Sequence, residues 1–177
     1  MEYAMETTSG AAREDLGVAG VGNEYSQYLT FVLAGEEYGI NILDVQEIKG
    51  WEGTTIIPNM PSHILGVINL RGTIVPVIDL RRCFGLPPRE FTETTVVIMV
   101  KVDYAGESRV VGVVVDAVAE VYNVVNAEIE PPPAMHEVVD AQYIRGLTTL
   151  EEKMVILLDI SSLVIMEALS EDLLGVH

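Results

Sequence analysis

Gly39-Ile40-Asn41-Ile42-Leu43-Asp44-Val45-Gln46-Glu47-Ile48 lies over Gly112-Val113-Val114-Val115-Asp116-Ala117-Val118-Ala119-Glu120-Val121 without a gap. The glycine, the apolar positions at Ile40, Ile42, Val45 and Ile48, and the glutamate each meet a like residue. A second pair of blocks follows in the same order. Ile64-Leu65-Gly66-Val67 through Asp79-Leu80 lies over Ile144-Arg145-Gly146-Leu147 through Asp159-Ile160, placing Gly66 on Gly146, Leu70 on Leu150, Val75 on Val155 and Asp79 on Asp159. Two gapless blocks in one order mark an internal duplication, and such a repeat governs the whole architecture.

The texture between the blocks is that of strands. Short apolar runs, many β-branched, alternate with Gly, Pro and charged residues. Such runs occur at Gln27–Leu33, Tyr38–Ile42, Val45–Ile48, Thr54–Ile57, Ile64–Leu70 and Thr73–Ile78. They recur at Thr94–Asp103, Arg109–Val115, Val118–Val125, Tyr143–Leu147 and Met154–Leu158. Arg71-Gly72 between two of them predicts a tight hairpin. Residues 161–174 alone have helical spacing, with Leu163, Met166, Leu169, Leu173 and Leu174 near one face. About ten short strands and one terminal helix predict an all-β fold of barrels or a sandwich. The organisation expected is a flexible tail over 1–24 and a domain over 25–174. Within the domain the first repeat covers about 27–80, the second about 94–160, and the helix 161–174.

Each repeat is small enough to be marginal alone, so the two are expected to bury apolar surface against each other. Strands such as Val110–Val115, apolar at nearly every position, are then covered on both faces. Gly39, Gly66, Gly72, Gly112 and Gly146 are expected to be structural, at turns, sharp bends or close backbone approaches.

Charge restricts the partners. Ten Lys and Arg stand against 27 Asp and Glu, a formal net charge of −17. Duplex nucleic acid and anionic lipid both repel such a chain. The one local basic cluster, Arg81-Arg82 with Arg71 and Arg89 nearby, reads as a solvated turn. Single-stranded nucleic acid would call for basic grooves set with aromatics, and aromatics are 6% here. No uninterrupted apolar run reaches spanning length, and no basic-then-apolar leader opens the sequence. The single cysteine, Cys83, fits a reducing compartment, so the expected location is the cytoplasm.

Catalytic chemistry finds no motif. His63, His136 and His177 are not at zinc-ligand spacing with Cys83 or with one another. There is no phosphate loop and no nucleophile elbow. Paired acids such as Glu36-Glu37, Glu151-Glu152 and Glu171-Asp172 read as solvated surface. No enzyme activity, cofactor or metal is expected. Protein partners remain.

Halves of a duplication share what the fold requires, so their differences point to function. Asn69-Leu70-Arg71-Gly72 stands where the second half has Thr149-Leu150-Glu151-Glu152. Arg71 thus opposes an acid, whereas Glu47 keeps its match in Glu120. Arg71 and Glu47 are expected to pair and fix the hairpin, with Arg71 as an ordinary solvated turn residue the alternative. Trp51, the only tryptophan, is either an interface anchor or half-buried packing. Val45, Ile48, Val96, Val97, Val118 and Val121 are core candidates on pattern alone.

Taken together, Glu37-Tyr38-Gly39-Ile40, Val45-Gln46-Glu47-Ile48, Gly66-Val67-Ile68-Asn69-Leu70-Arg71-Gly72, Ile74-Val75-Pro76-Val77-Ile78-Asp79-Leu80 and Gly112-Val113-Val114-Val115-Asp116 resemble the CheW family of chemotaxis coupling proteins. The resemblance covers about Tyr25 to Leu174. It implies two intertwined five-stranded SH3-like β-barrels. It implies a non-enzymatic adaptor between the cytoplasmic tip of methyl-accepting chemoreceptors and the regulatory domain of the histidine kinase CheA. That role would recruit the chain to membrane-associated receptor arrays without inserting it into the membrane. It also assigns Glu47 and Arg71 to the paired acid and arginine beside the receptor-binding surface. Val45, Ile48, Val97, Val118 and Val121 fall where the family lines its receptor groove. An adaptor of a pilus-motility or other alternative chemosensory system is the second reading. The acidic N-terminal tail and Trp51 depart from the family pattern.

Overall fold

The computed structural model describes residues 24–132 and 141–169. Ten strands form: β1 (Tyr25–Leu33), β2 (Glu36–Asn41), β3 (Val45–Gly50), β4 (Ile64–Leu70), β5 (Thr73–Asp79), β6 (Val96–Tyr104), β7 (Glu107–Val115), β8 (Ala117–Val125), β9 (Ile144–Leu150) and β10 (Lys153–Leu158). They make two five-stranded sheets, ordered β8-β1-β2-β10-β9 and β3-β6-β7-β5-β4. Replacing each strand of one order by its duplicate five places along the chain yields the other. The duplication is therefore visible as a symmetry of the fold.

The two halves trade strands. The first sheet takes β1 and β2 from the first half and β8, β9 and β10 from the second, while the other sheet takes the remainder. Each exchange is sealed by a parallel pairing between halves. Leu157 faces Gly39 in one sheet, as Val77 faces Gly112 in the other. Neither sheet is thus the product of one repeat, and both depend on the whole chain.

Each sheet curls until its two edges meet at one bridge. Thr55, beyond the end of β3, pairs with Val67 on β4; Glu130, beyond β8, pairs with Leu147 on β9. Both bridges carry reciprocal N–H to carbonyl bonds of 2.8–2.9 Å. The expected strand at Thr54–Ile57 is reduced to this bridge. Gly66 and Gly146 sit beside the two closures. A Cβ on Gly66 would stand 2.2 Å from the Thr55 carbonyl oxygen, and Gly66 has φ +137°. One on Gly146 would stand 2.5 Å from Ile129 Cγ2 and 2.7 Å from the Glu130 carbonyl oxygen. Of the five glycines expected to be structural, only Gly72 lies in a turn. Gly39, Gly66, Gly112 and Gly146 lie within strands, where close approach excludes a side chain.

Packing resolves into three clusters, because alternate residues of a strand point to opposite faces. Leu29, Phe31, Tyr38 and Ile40 from the first barrel meet Ile98, Val100, Val111, Val113 and Val115 from the second, forming the seam. Val75, Val77, Val97, Met99 and Val114 fill one barrel, and Tyr28, Val124, Val155 and Leu157 fill the other. β7 serves both sides: Val111, Val113 and Val115 reach the seam while Gly112 makes room for Val97 and Val77 inside its barrel.

Short helices follow the last strand of each half: α1 (Leu80–Cys83) and α2 (Ile160–Val164). The matched aspartates begin them. Asp79 accepts from the Arg81 N–H and Asp159 from the Ser162 N–H, capping groups that otherwise lack partners. α2 passes into one π-helical stretch, Ile165–Leu169. The wider turn changes the phase of the helix. As a result Leu163 and Leu169 are buried whereas Met166, expected on the same face, is 50% exposed. Residues 170–174 of the expected helix, and 1–23 of the tail expected over 1–24, lie outside the described residues.

Within the basic cluster, Arg71, Arg82 and Arg89 are exposed as expected, but Arg81 is not solvated. Arg81 is buried, and its Nε and Nη2 each donate to the Asp116 carboxylate at 2.9 Å. Arg89 and the Ala34 N–H also donate to Asp116, and Arg81 Nη1 donates to the Pro87 carbonyl. A buried guanidinium is tolerated only when its donors are met in this way. Arg82 stays near the surface beside Asp79.

Candidate functional site

Four of the five apolar residues assigned to a groove are two matched pairs. Val45 and Ile48 lie on β3, and their duplicates Val118 and Val121 lie on β8. Val45 and Val118 are half-buried against the seam cluster, whereas Ile48 and Val121 are 41% and 47% exposed. On each strand the two residues pair across to seam residues, Ile98 and Val100 or Leu29 and Phe31, so each sheet carries an apolar strip on the seam-facing side of an edge strand, where the shared core reaches solvent. Val97 does not belong to this surface. It points into its barrel among Val77, Met99 and Val114, and its role is core packing. The strict alternation of β6 places Val97 inside and Ile98 at the seam.

Next to Ile48, Glu47 accepts a hydrogen bond from Arg71 Nη2. Arg71 and Gly72 are the two central residues of the β4–β5 hairpin, with φ of 50° and 89°. Both values are positive, as a two-residue hairpin turn requires. The Asn69 side chain accepts from the Gly72 N–H at 2.8 Å and braces the turn. Arg71 and Glu47 therefore meet across the mouth of one barrel, presenting a fixed cation at the surface. The hydrogen bond from Arg71 holds the Glu47 carboxyl below the usual carboxylate range. Exposure keeps the stabilisation from such a pair small.

The duplicate position has the opposite character. Tyr122 Oη donates toward Glu120 at 3.1 Å and toward Glu151 at 3.2 Å, so one phenolic hydrogen lies between two carboxylates. Loss of water and the two neighbouring acids push the phenol above its ordinary value. The hairpin tip at one barrel mouth bears an arginine, and the matched tip bears two glutamates.

Leu43, in a short 3-10 turn just before β3, is 87% exposed. It extends the apolar strip of Val45 and Ile48. Its duplicate is Asp116, the buried partner of Arg81. The pairing of an apolar Leu43 with a charged Asp116 inside the repeated block was the available sign. Trp51 is not an exposed anchor: it meets Phe91 edge-on at 4.5 Å and packs on the barrel interior.

Two interlocked closed sheets, with the Arg71–Glu47 pair and apolar strips on their edge strands, define a fold of the all-β class. Comparison with known proteins specifies which. The family described as "CheW-like domain" matches residues 27–167. "Chemotaxis protein CheW" of Klebsiella aerogenes is 44% identical over 81% of this chain and 84% of its own. "Chemotaxis protein CheW" of Rhizobium meliloti is 35% identical over 77% and 85%. The crystal structure of "scaffolding protein TtCheW" from Thermoanaerobacter tengcongensis superposes with a TM-score of 0.68 at 38% identity, over 75% of this chain and 88% of that one.

The chain belongs to the CheW family, and with it to the scaffold proteins of chemotaxis. Among the described residues no helix is long and apolar enough to cross a membrane.

Proposed function

We propose that this chain couples the cytoplasmic tip of a chemoreceptor to the regulatory domain of the histidine kinase CheA, without chemistry of its own. The observation that carries this reading is the Arg71–Glu47 pair, whose glutamate shares an edge strand with the apolar strip of Val45 and Ile48, which reach solvent at the seam, with the exposed Leu43 just before them. An amphipathic receptor helix would bury its apolar face on that strip and set an acidic side chain against Arg71. Glu47 holds the guanidinium in place, so less side-chain freedom is lost on docking. Val118 and Val121, on the matched strand, would line the other wall of the groove.

Single contacts of this size are weak. Repetition across a receptor array raises the effective concentration and supplies avidity. A regulatory domain built on the same plan would pack against a barrel edge away from the groove. The chain would then work in the cytoplasm at the receptor arrays, transmitting receptor state as a change in kinase geometry.

The test is autophosphorylation of the cognate kinase, measured with receptor present and with or without this chain. Stimulation requiring both receptor and chain is the expected result. Kinase activity that ignores the chain would overturn the reading.

A further inference from the structure

His63, Cys83 and Glu167 are 20 and 84 residues apart in sequence and come from three different elements. His63 precedes β4, Cys83 ends α1, and Glu167 lies in the π-helical stretch after α2. A ring nitrogen of His63, the Cys83 Sγ and a Glu167 carboxylate oxygen all lie within 4.8 Å of one another. All three side chains are half-buried, so an ion could enter from solvent. We propose that these three side chains form a binding site for a borderline-soft divalent cation, Zn²⁺, with a water as fourth ligand.

The donor set is the first argument. One imidazole nitrogen, one thiolate and one carboxylate suit zinc, while Mg²⁺ and Ca²⁺ demand oxygen. A thiolate and a carboxylate together cancel the charge of the ion, leaving a neutral centre that a half-buried site tolerates. Tetrahedral zinc with bonds of about 2.0–2.3 Å separates its ligands by roughly 3.3–3.8 Å. Closing the widest gap here takes about 1 Å of side-chain movement, within the reach of small χ adjustments.

The second argument is the orientation of the ligands. Tyr143 Oη donates to Glu167 Oε2 at 2.9 Å, which fixes the carboxylate and leaves Oε1 as the oxygen open to an ion. His63 Nε2 also donates to the Glu167 backbone carbonyl at 2.8 Å, which holds the neutral ring as the tautomer with a bare Nδ1. Outer hydrogen bonds of this kind, from a ligand to a carbonyl and from a tyrosine to a ligand, are what orient metal ligands. A π-helical turn, uncommon in general and frequent at functional sites, places Glu167.

The third argument comes from the duplication. His63 and Tyr143 occupy matched positions, since their carbonyls accept from the Asp79 and Asp159 N–H groups respectively, each at 2.8 Å. The counterpart of Cys83 is Leu163, which is fully buried. The fold is thus satisfied by a tyrosine and a leucine at these places, and the first half carries a histidine and a cysteine instead.

Binding exchanges the thiol proton for the metal: Cys83–SH and Zn²⁺ give the zinc thiolate and one released proton, with no change of oxidation state.

The test uses the purified full chain stripped of metal. Zn²⁺ is titrated against a chromophoric chelator, and Co²⁺ is added separately as a spectroscopic probe. One zinc per chain is expected, and cobalt should show a thiolate charge-transfer band with the visible absorption of a tetrahedral ion. Cys83→Ser should abolish the charge-transfer band. Cys83→Ser and His63→Gln should each weaken zinc at least about tenfold, while His136→Gln and His177→Gln leave it unchanged. Zinc affinity that survives Cys83→Ser, or a cobalt spectrum of an octahedral all-oxygen ion in the unaltered chain, would overturn the site. The cobalt spectrum needs no variant, so it decides even if a substitution impairs folding.

Discussion

The β4–β5 hairpin and the β9–β10 hairpin have the same backbone and opposite chemistry. Both turn in two residues with positive φ, at Arg71-Gly72 and at Glu151-Glu152. Both tips point across a barrel mouth toward a matched glutamate, Glu47 or Glu120. In one an arginine closes the contact. In the other a tyrosine hydroxyl lies between two carboxylates. The barrel accepts either arrangement, so the charge at the tip is free to serve a partner. What the halves share is architecture, and what they do not share is where docking and chemistry are to be sought.

The shared features should be costly to change, and unequally so. Gly66→Ala puts a methyl group 2.2 Å from a backbone carbonyl oxygen at a positive φ, whereas Gly146→Ala keeps an ordinary φ and stands 2.7 Å from a backbone carbonyl oxygen beside the Ile129 side chain. Chemical denaturation should register a loss of about 3 kcal/mol or more for Gly66→Ala and about 1–2 kcal/mol for Gly146→Ala. Equal losses would mean that the two barrel closures are more alike than their backbones indicate.

Asp116 and Leu43 sharpen the contrast at a second matched position. Burial alone would raise the Asp116 carboxyl, but Arg81, the Ala34 N–H and Arg89 outweigh it and hold the carboxyl below its ordinary value. A carboxyl depressed in the folded state contributes stability above its unfolded pKa, and that contribution is lost as pH falls through the depressed value. Asp116→Asn should cost about 3 kcal/mol at neutral pH by leaving Arg81 uncompensated. It should also remove part of the acid-linked loss seen in denaturation at falling pH. Leu43→Asp, on a residue 87% exposed, should leave the melting temperature unchanged and weaken receptor co-sedimentation severalfold.

The smallest effect is a gain. Glu152 holds a φ of 69° where the other three two-residue turns place Gly35, Gly72 and Gly106. Glu152→Gly should stabilise the fold by about 1 kcal/mol, read as a raised denaturation midpoint.

Much of this was legible because strand periodicity and a gapless repeat are local signals. The unbroken apolar run of Val110–Val115 announced two covered faces, and the seam and the barrel interior are those faces. The exchange of strands between halves was not legible from the pattern, since alternation says that a face is covered and not by which sheet. Arg81 was misread because its partner Asp116 lies 35 residues away, and a charge run looks the same whether solvated or paired. Val97 and Ile98 are both apolar neighbours, so only the pleat could separate the interior residue from the one at the seam. Met166 was displaced from its expected face by a π-helical turn that hydrophobic spacing does not encode. His63, Cys83 and Glu167 sit at no recognised ligand spacing, and only the fold brings them together.

Receptor binding by two single charge reversals, one at each hairpin tip, tests the central contrast most directly. Co-sedimentation of the chain with receptor-bearing membranes should fall at least about tenfold for Arg71→Glu, a difference of about 1.4 kcal/mol or more in receptor binding free energy. Glu151→Arg should bind as the unaltered chain does. Equal losses at both tips, or a loss confined to Glu151→Arg, would contradict the claim that the arginine-bearing mouth is the docking side.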